Sequence, residues 1–282
     1  MTNLSVEKFG GASINSASSM RILLEYICCS VENPIILVFS AFGRMTSLLE
    51  DITRLLYEQE ISSAIQKMNL LFEFHNGIAK EIFPPRHEIF ERIKEISFFN
   101  PYSFGNKEKN IISGEIVGIG EVLASLFVSE HFKLYGLPNK LVHSRDFIFT
   151  ENVAYSDLNF ELTSKAIKSV FHERFVEMNP LIIMQGFIGT SLNGLPSILK
   201  KEGSDLSAAI TAISLKSDLT FWKKRGIPGN PSQLSFEEFQ KMEESSNGNK
   251  LLSPQALKLL IESSTTFGIS NFDNLKERTV IG

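Results

Sequence analysis

Val6-Glu7-Lys8-Phe9-Gly10-Gly11-Ala12-Ser13 is the stretch on which the fold turns. Leu4, Val6 and Phe9 suit a buried strand. The glycine pair lets the backbone turn sharply and approach a ligand that any Cβ would obstruct. Ser13 stands where a helix is expected to begin, because Met20, Leu23, Leu24 and Ile27 then recur at helical spacing. Backbone N–H groups at the positive end of a helix dipole hold anions. Lys8, leaving the strand just before the turn, adds a flexible point charge suited to a phosphoryl group. The same residues also describe a plain strand, turn and helix with a surface lysine, so the rest of the chain has to separate the two readings.

Outward from this unit the pattern repeats. Pro34 to Phe39 is an apolar strand running into Ser40-Ala41-Phe42-Gly43, after which Leu48, Leu49, Ile52, Leu55 and Leu56 mark one helix face. Residues 61 to 97 read as helices interrupted by Pro84-Pro85, with Ile65, Met68, Leu71 and Phe72 on one face. Asn110 to Phe132 reads as one long helix carrying Ser113-Gly114-Glu115, and Leu137 to His143 as a strand. Residues 157 to 178 give another helix, and Pro180 to Phe187 a buried strand leading into Gln185-Gly186-Phe187-Ile188-Gly189. Asn193-Gly194 signals a hairpin between that strand and Pro196 to Leu199. Gly203-Ser204-Asp205 begins a helix with Ala208, Ala209, Ala212 and Ile213, and Leu219 to Trp222 is the next strand. Such alternation predicts a three-layer α/β/α sandwich with a largely parallel central sheet. Ligands in such sheets bind outside the carboxyl ends of the strands, so the turns after residues 9, 39 and 186 are expected to form one cleft.

Bulk properties narrow the functional classes. The 282 residues, 43% apolar and 21% charged, describe a globular chain with room for one large or two small domains. A net charge of −4 speaks against nucleic acid as the main partner. No run is read as a membrane span and no leader pattern opens the chain, so a cytoplasmic protein is expected. Cys28 and Cys29 are adjacent, a placement that disfavours a disulfide, and are read as packing residues. His75, His87, His131, His143 and His172 show no metal-ligand spacing, so no protein-ligated metal is expected.

Taken together, these segments resemble the amino acid kinase superfamily and, within it, the aspartokinase family. Lys8-Phe9-Gly10-Gly11-Ala12-Ser13 is similar to K-F-G-G-T-S, and Ser40-Ala41 through Thr46-Ser47-Leu48-Leu49 to S-A-x-x-x-x-T-N-x-L-L. Ser113-Gly114-Glu115 matches the S-x-G-E neighbourhood, Arg145-Asp146 follows a strand, and Gln185-Gly186-Phe187-Ile188-Gly189 matches Q-G-F-I-G. The resemblance implies transfer of the ATP γ-phosphoryl group, with Mg2+ held mainly through the nucleotide phosphates, to the side-chain carboxylate of aspartate. It implies Lys8, Asp205 and Lys201 as catalytic residues and Gly10, Gly11 and Ser13 as phosphate-binding. Ser40, Thr46 and Glu115 would hold aspartate, and Lys223, Lys224 and Lys250 the nucleotide. Residues 1–190 would form the amino-acid-binding lobe and 191–282 the nucleotide-binding lobe, with no regulatory ACT domains following and a homodimer as the assembly.

The second lobe departs from the pattern. L-G-R-G-G-S-D reads Leu199-Lys200-Lys201-Glu202-Gly203-Ser204-Asp205, exchanging arginine's bidentate fork for a lysine point charge and placing Glu202 where glycine is usual. The W-T-D-V-x-G-I-Y-T-x-D-P-R loop is shortened to Trp222-Lys223-Lys224-Arg225-Gly226-Ile227-Pro228-Gly229-Asn230-Pro231-Ser232. F-G-A-K-x-L-H-P reads Asn247-Gly248-Asn249-Lys250-Leu251-Leu252-Ser253-Pro254. These changes leave two alternatives beside the aspartate kinase: a silent relative that binds an amino acid or a partner subunit, and a kinase acting on another carboxylate such as glutamate.

Overall fold

A computed structural model describes residues 4–30, 33–246 and 250–282. In chain order the elements are β1 (Ser5–Phe9), α1 (Ala17–Ser30), β2 (Ile35–Phe39), α2 (Met45–Tyr57), α3 (Ile61–Ile82), α4 (Ile89–Ser97), α5 (Lys109–Ile116) and α6 (Ile119–Leu134). There follow β3 (Lys140–Leu141), β4 (Phe149–Thr150), α7 (Phe160–Val170), α8 (Glu173–Met178), β5 (Leu181–Gln185), β6 (Ile188–Ser191), β7 (Pro196–Ile198) and α9 (Gly203–Leu215). The chain ends in β8 (Asp218–Lys223), β9 (Gln233–Leu234), α10 (Phe236–Ser245), α11 (Pro254–Glu262), β10 (Phe267–Asn271) and β11 (Arg278–Ile281).

Eight strands form the central sheet in the order β3-β5-β2-β1-β8-β10-β11-β9, parallel throughout except between β10 and β11. β1 lies between β2 and β8, with Phe9 opposite Phe39 on one side and Trp222 on the other. The two-residue period of the strands then sorts side chains into two cores. Phe9, Leu37, Phe39, Ile183 and Trp222 pack under α1, α2, α3 and α6. Val6, Ile36, Val38, Met184 and Phe221 pack under α7, α9 and α11. Each such side chain contributes about 1.5–3 kcal/mol by leaving water. Lys8 shares the face of Val6, and Lys223 that of Phe221, so both lysines meet α9 rather than α1.

The three-layer arrangement is the one expected, and several details correct the sequence reading. The strand after Pro180 stops at Gln185, and the Asn193-Gly194 hairpin joins β6 to β7 in a separate three-stranded sheet with β4. Residues 110–132 are two helices, not one, broken at Val117-Gly118, where a Cβ on Gly118 would strike Ile188 Cγ2. The stretch Lys109–Leu134 is, contrary to expectation, long and apolar enough to cross a membrane, and most of it is buried within the protein. Its apolarity is that of a core helix. Residues 157–178 likewise divide into α7 and α8, because the His172 side chain accepts from Phe175 N (3.2 Å) and caps a new helix. Cys28 and Cys29 are exposed thiols rather than packing residues, since both lie on the outer face of α1.

Candidate active site

The carboxyl ends of β1, β2 and β8 bring the candidate residues together. Lys8 Nζ lies 2.8 Å from Asp205 Oδ1, and both side chains are buried. Lys223 Nζ lies 3.2 Å from Asp205 Oδ2, and Ser253 N donates to the same oxygen at 3.2 Å. Burial by itself would push the Asp205 carboxyl up, but Lys223 and Lys8 outweigh it and hold the group below its ordinary range. Burial, with Lys8 adding repulsion, pulls Lys223 below the usual lysine range in spite of Asp205. Two cations on one buried carboxylate leave a net positive charge on the cleft wall, which an incoming polyanion can neutralise.

Beside these lysines the chain turns at Gly10-Gly11. Ser13 N and Ile14 N both donate to Gly10 O (2.9 and 3.2 Å), whereas the amides of Gly11 and Ala12 make no backbone hydrogen bond among the described residues. A Cβ on Gly11 would collide with Ala41 O, so only glycine allows this turn to close on the loop after β2. Ser13 is placed differently from the expectation: it is buried in the turn, its Oγ donating to Trp222 O at 3.3 Å, and α1 begins four residues later. The cap is Ser16, whose Oγ accepts from Ser19 N (3.2 Å) while Ser19 Oγ accepts from Ser16 N (3.1 Å). Ser13 therefore braces the turn against β8.

A cavity of about 230 Å³ adjoins the turn, lined by Ser40, Thr46, Ser47, Glu50, Glu121, Tyr155, Phe187, Lys201, Glu202, Gly203 and Ser204. Lys201 faces this cavity, while Lys200 turns away to pair with Asp157 (2.6 Å). Glu202 also lines it, in a left-handed conformation (φ 61°) that glycine would adopt without strain. Tyr155 OH donates to Glu50 Oε1 across the rim at 2.8 Å.

Glu115 is not among the lining residues. It sits on α5, bonded to Lys107 Nζ at 2.8 Å, and of the three acidic residues lining the cavity, Glu50, Glu121 and Glu202, the buried one is Glu121, which the sequence reading missed. Gly120 explains the placement: a Cβ there would strike Ala41 Cβ, so glycine lets the start of α6 press against the loop after β2. Burial pushes the Glu121 carboxyl up to about 7, against the pull of the Ala41 amide and Lys8, and its Oε2 has no hydrogen-bond partner. A detectable signal was present. Gly118-Ile119-Gly120-Glu121 keeps the spacing of S-x-G-E, which Ser113-Gly114-Glu115 does not.

The predicted nucleotide residues scatter. Lys223 belongs to the Asp205 cluster, Lys224 is exposed, and Lys250 lines a separate groove of about 420 Å³ with side chains of α10 and α11. Asn247, Gly248 and Asn249 lie outside the described residues. Among the described residues no three His, Cys, Asp or Glu side chains gather into a metal-binding group.

Comparison with known proteins bears on the family and the fold. The amino acid kinase family model matches residues 3–267. An aspartokinase of Chlamydia muridarum is 27% identical over 288 residues, covering 97% of this chain and 62% of that protein. E. coli aspartokinase III in complex with lysine and aspartate, described as a T-state, superimposes with a TM-score of 0.83 at 20% identity, over 99% of this chain and 64% of that one. The R-state of the same protein, in complex with aspartate and ADP, gives 0.81 at 18% identity with the same coverage. The chain thus spans less than two thirds of the length of these relatives. With a family match over nearly its whole length and the corresponding fold, the chain belongs to the amino acid kinase family.

Proposed function

We propose that the chain transfers the ATP γ-phosphoryl group to the side-chain carboxylate of L-aspartate, giving 4-phospho-aspartate, the entry step to lysine, threonine and methionine. One observation carries the reading: the Lys8, Asp205 and Lys223 cluster and the Gly10-Gly11 turn border a hydroxyl-lined cavity with one buried carboxyl, Glu121. The named aspartokinase relatives, one of them holding aspartate and ADP, support the choice of substrates.

In this reading the aspartate carboxylate, already ionised at neutral pH, attacks phosphorus; one P–O bond forms to it and the bond to the ADP oxygen breaks. No general base is required, so positioning and charge neutralisation carry the rate. Lys8 and Lys223 offset charge on the phosphates, Asp205 bridges the two ammonium groups and offsets their repulsion, and the Gly11 and Ala12 amides face the transferring group. Ser40, Thr46 and Lys201 receive the acceptor carboxylates, and Glu121 takes the ammonium in place of Glu115. Lys224 and Lys250 stand further out, as candidates for the nucleotide. Magnesium would be carried by the phosphates and would neutralise charge there. The division into lobes 1–190 and 191–282, a cytoplasmic location and a homodimer belong to the same proposal and rest on the resemblance.

ADP release is the decisive assay. Release should depend on aspartate and exceed that with glutamate, and Lys8→Ala should lower kcat by about a hundredfold or more. A rate indifferent to aspartate, or to that substitution, overturns the reading.

A further inference from the structure

Glu7 is an unusual residue for the middle of a buried parallel strand, where apolar side chains are the rule. It is 8% exposed and lies on the face opposite Lys8. Its Oε2 accepts from Trp222 Nε1 at 2.8 Å and its Oε1 from Tyr26 OH at 2.9 Å. Among the described residues no cation forms an ion pair with it; Arg278 acts on it only at longer range. A buried carboxylate held by two neutral donors stabilises the fold less than an apolar residue of similar size would. Packing therefore does not account for it.

What it holds does. The Trp222 ring stacks on Phe9 (centroids 5.7 Å apart, planes 5° apart) and meets the edge of Tyr26 at 4.8 Å. The Trp222 carbonyl accepts from Gly10 N (3.5 Å) and from Ser13 Oγ (3.3 Å), so it supports the phosphate turn directly. The next residue is Lys223. The ends of β1 and β8 are therefore tied on both faces of the sheet: Glu7 to Trp222 on one, Lys8 to Lys223 through Asp205 on the other.

We propose that Glu7 is a positioning residue for phosphoryl transfer, fixing the Trp222 indole and, through the Trp222 backbone, the Gly10–Ser13 turn and the Lys223 ammonium. The inference rests on the kinase reading above for its effect on rate, and on geometry alone for its effect on the turn.

The test uses the whole chain and three variants, Glu7→Gln, Tyr26→Phe and Trp222→Phe. Trp222 is the only tryptophan, so its emission reports this site without a label. In the unaltered chain Mg-ADP should shift that emission saturably. Glu7→Gln should lower kcat by about tenfold, equivalent to about 1.4 kcal/mol, with KM for aspartate within about twofold. It should also shift the resting emission and speed amide exchange in the peptide containing residues 10–13 more than elsewhere. Trp222→Phe keeps the stacking but loses the indole donor, and should reproduce the kcat loss; Tyr26→Phe leaves the indole bond and should lose less. If Glu7→Gln does not fold, Trp222→Phe, which has no tryptophan emission, decides by kcat and by amide exchange at residues 10–13. Unchanged kcat with unchanged exchange at the turn overturns the proposal, as does a uniform loss of protection with kcat per folded molecule preserved. If the unaltered chain releases no ADP with aspartate, the kinase reading fails, and the exchange comparison still decides whether Glu7 holds the turn.

Discussion

Glu121 and Glu202 are the residues whose chemistry most shapes the cavity. Glu121 titrates near 7 because burial raises its carboxyl above the ordinary 4.5. A raised carboxyl stabilises the fold below its unfolded pKa, and that contribution is lost as pH rises through about 7. In the proposed function acceptor binding runs the other way, since the ammonium needs the ionised form. KM for aspartate should fall by about tenfold between pH 6 and pH 8, and Glu121→Gln should raise KM and flatten the profile. A profile unchanged by that substitution removes Glu121 from the acceptor site. Glu202 sits at φ 61° with its carboxylate on the same cavity. Glu202→Gly should raise stability by about 0.5 kcal/mol, as the left-handed strain is relieved against a loss of chain rigidity. It should also lower KM for aspartate, and urea titration with steady-state kinetics checks both.

Among the elements, α3 and α6 each bury a histidine in the same core. His75 Nδ1 meets Leu71 O at 2.8 Å, while both ring nitrogens of His131 lack partners among the aromatic rings of Phe83, Phe132 and Tyr135. Burial lowers each to about 4, from an ordinary 6.5. The unfolded chain then binds more protons, so stability is full above about 6.5 and declines as pH falls toward 4. At pH 5 the two together should remove about 2–4 kcal/mol relative to pH 7.5. His131→Leu should recover about 1–2 kcal/mol at pH 7.5, by deleting a buried unpaired group, and lessen the acid loss. Urea midpoints at the two pH values test this, and equal midpoints would contradict it. Elements with strong periodicity, such as β1, β2, α2 and α9, were readable because their apolar stripe repeats within a few residues. The breaks at Val117-Gly118 and Phe171-His172 were not, because what interrupts them is a neighbour in space, Ile188, or a cap made by a side chain that also suits a helix interior.

At the scale of the molecule, the sheet runs through both proposed lobes and the cleft draws on β1, α6, α9 and β8 together. Calorimetry should show a single transition, moved upward by Mg-ADP; a hundredfold excess over Kd contributes about 2.7 kcal/mol. Two transitions, with only the second responding to nucleotide, would separate the lobes. The alternating pattern, the glycine turn, Lys8, Ser40, Thr46 and Asp205 were legible in sequence because local chemistry selects each of them: a turn without Cβ, a hydroxyl after a strand, an acid in a first helical turn. That Glu121 and not Glu115 lines the cavity, that Ser13 stands four residues before α1, and that Lys223 pairs with Asp205 were decided by the fold. Those outcomes depend on contacts between residues far apart in the chain, Gly120 against Ala41 and Trp222 against Gly10. The spacing of Gly118-Ile119-Gly120-Glu121 marks a candidate, but local spacing alone does not say which distant surface a side chain will meet.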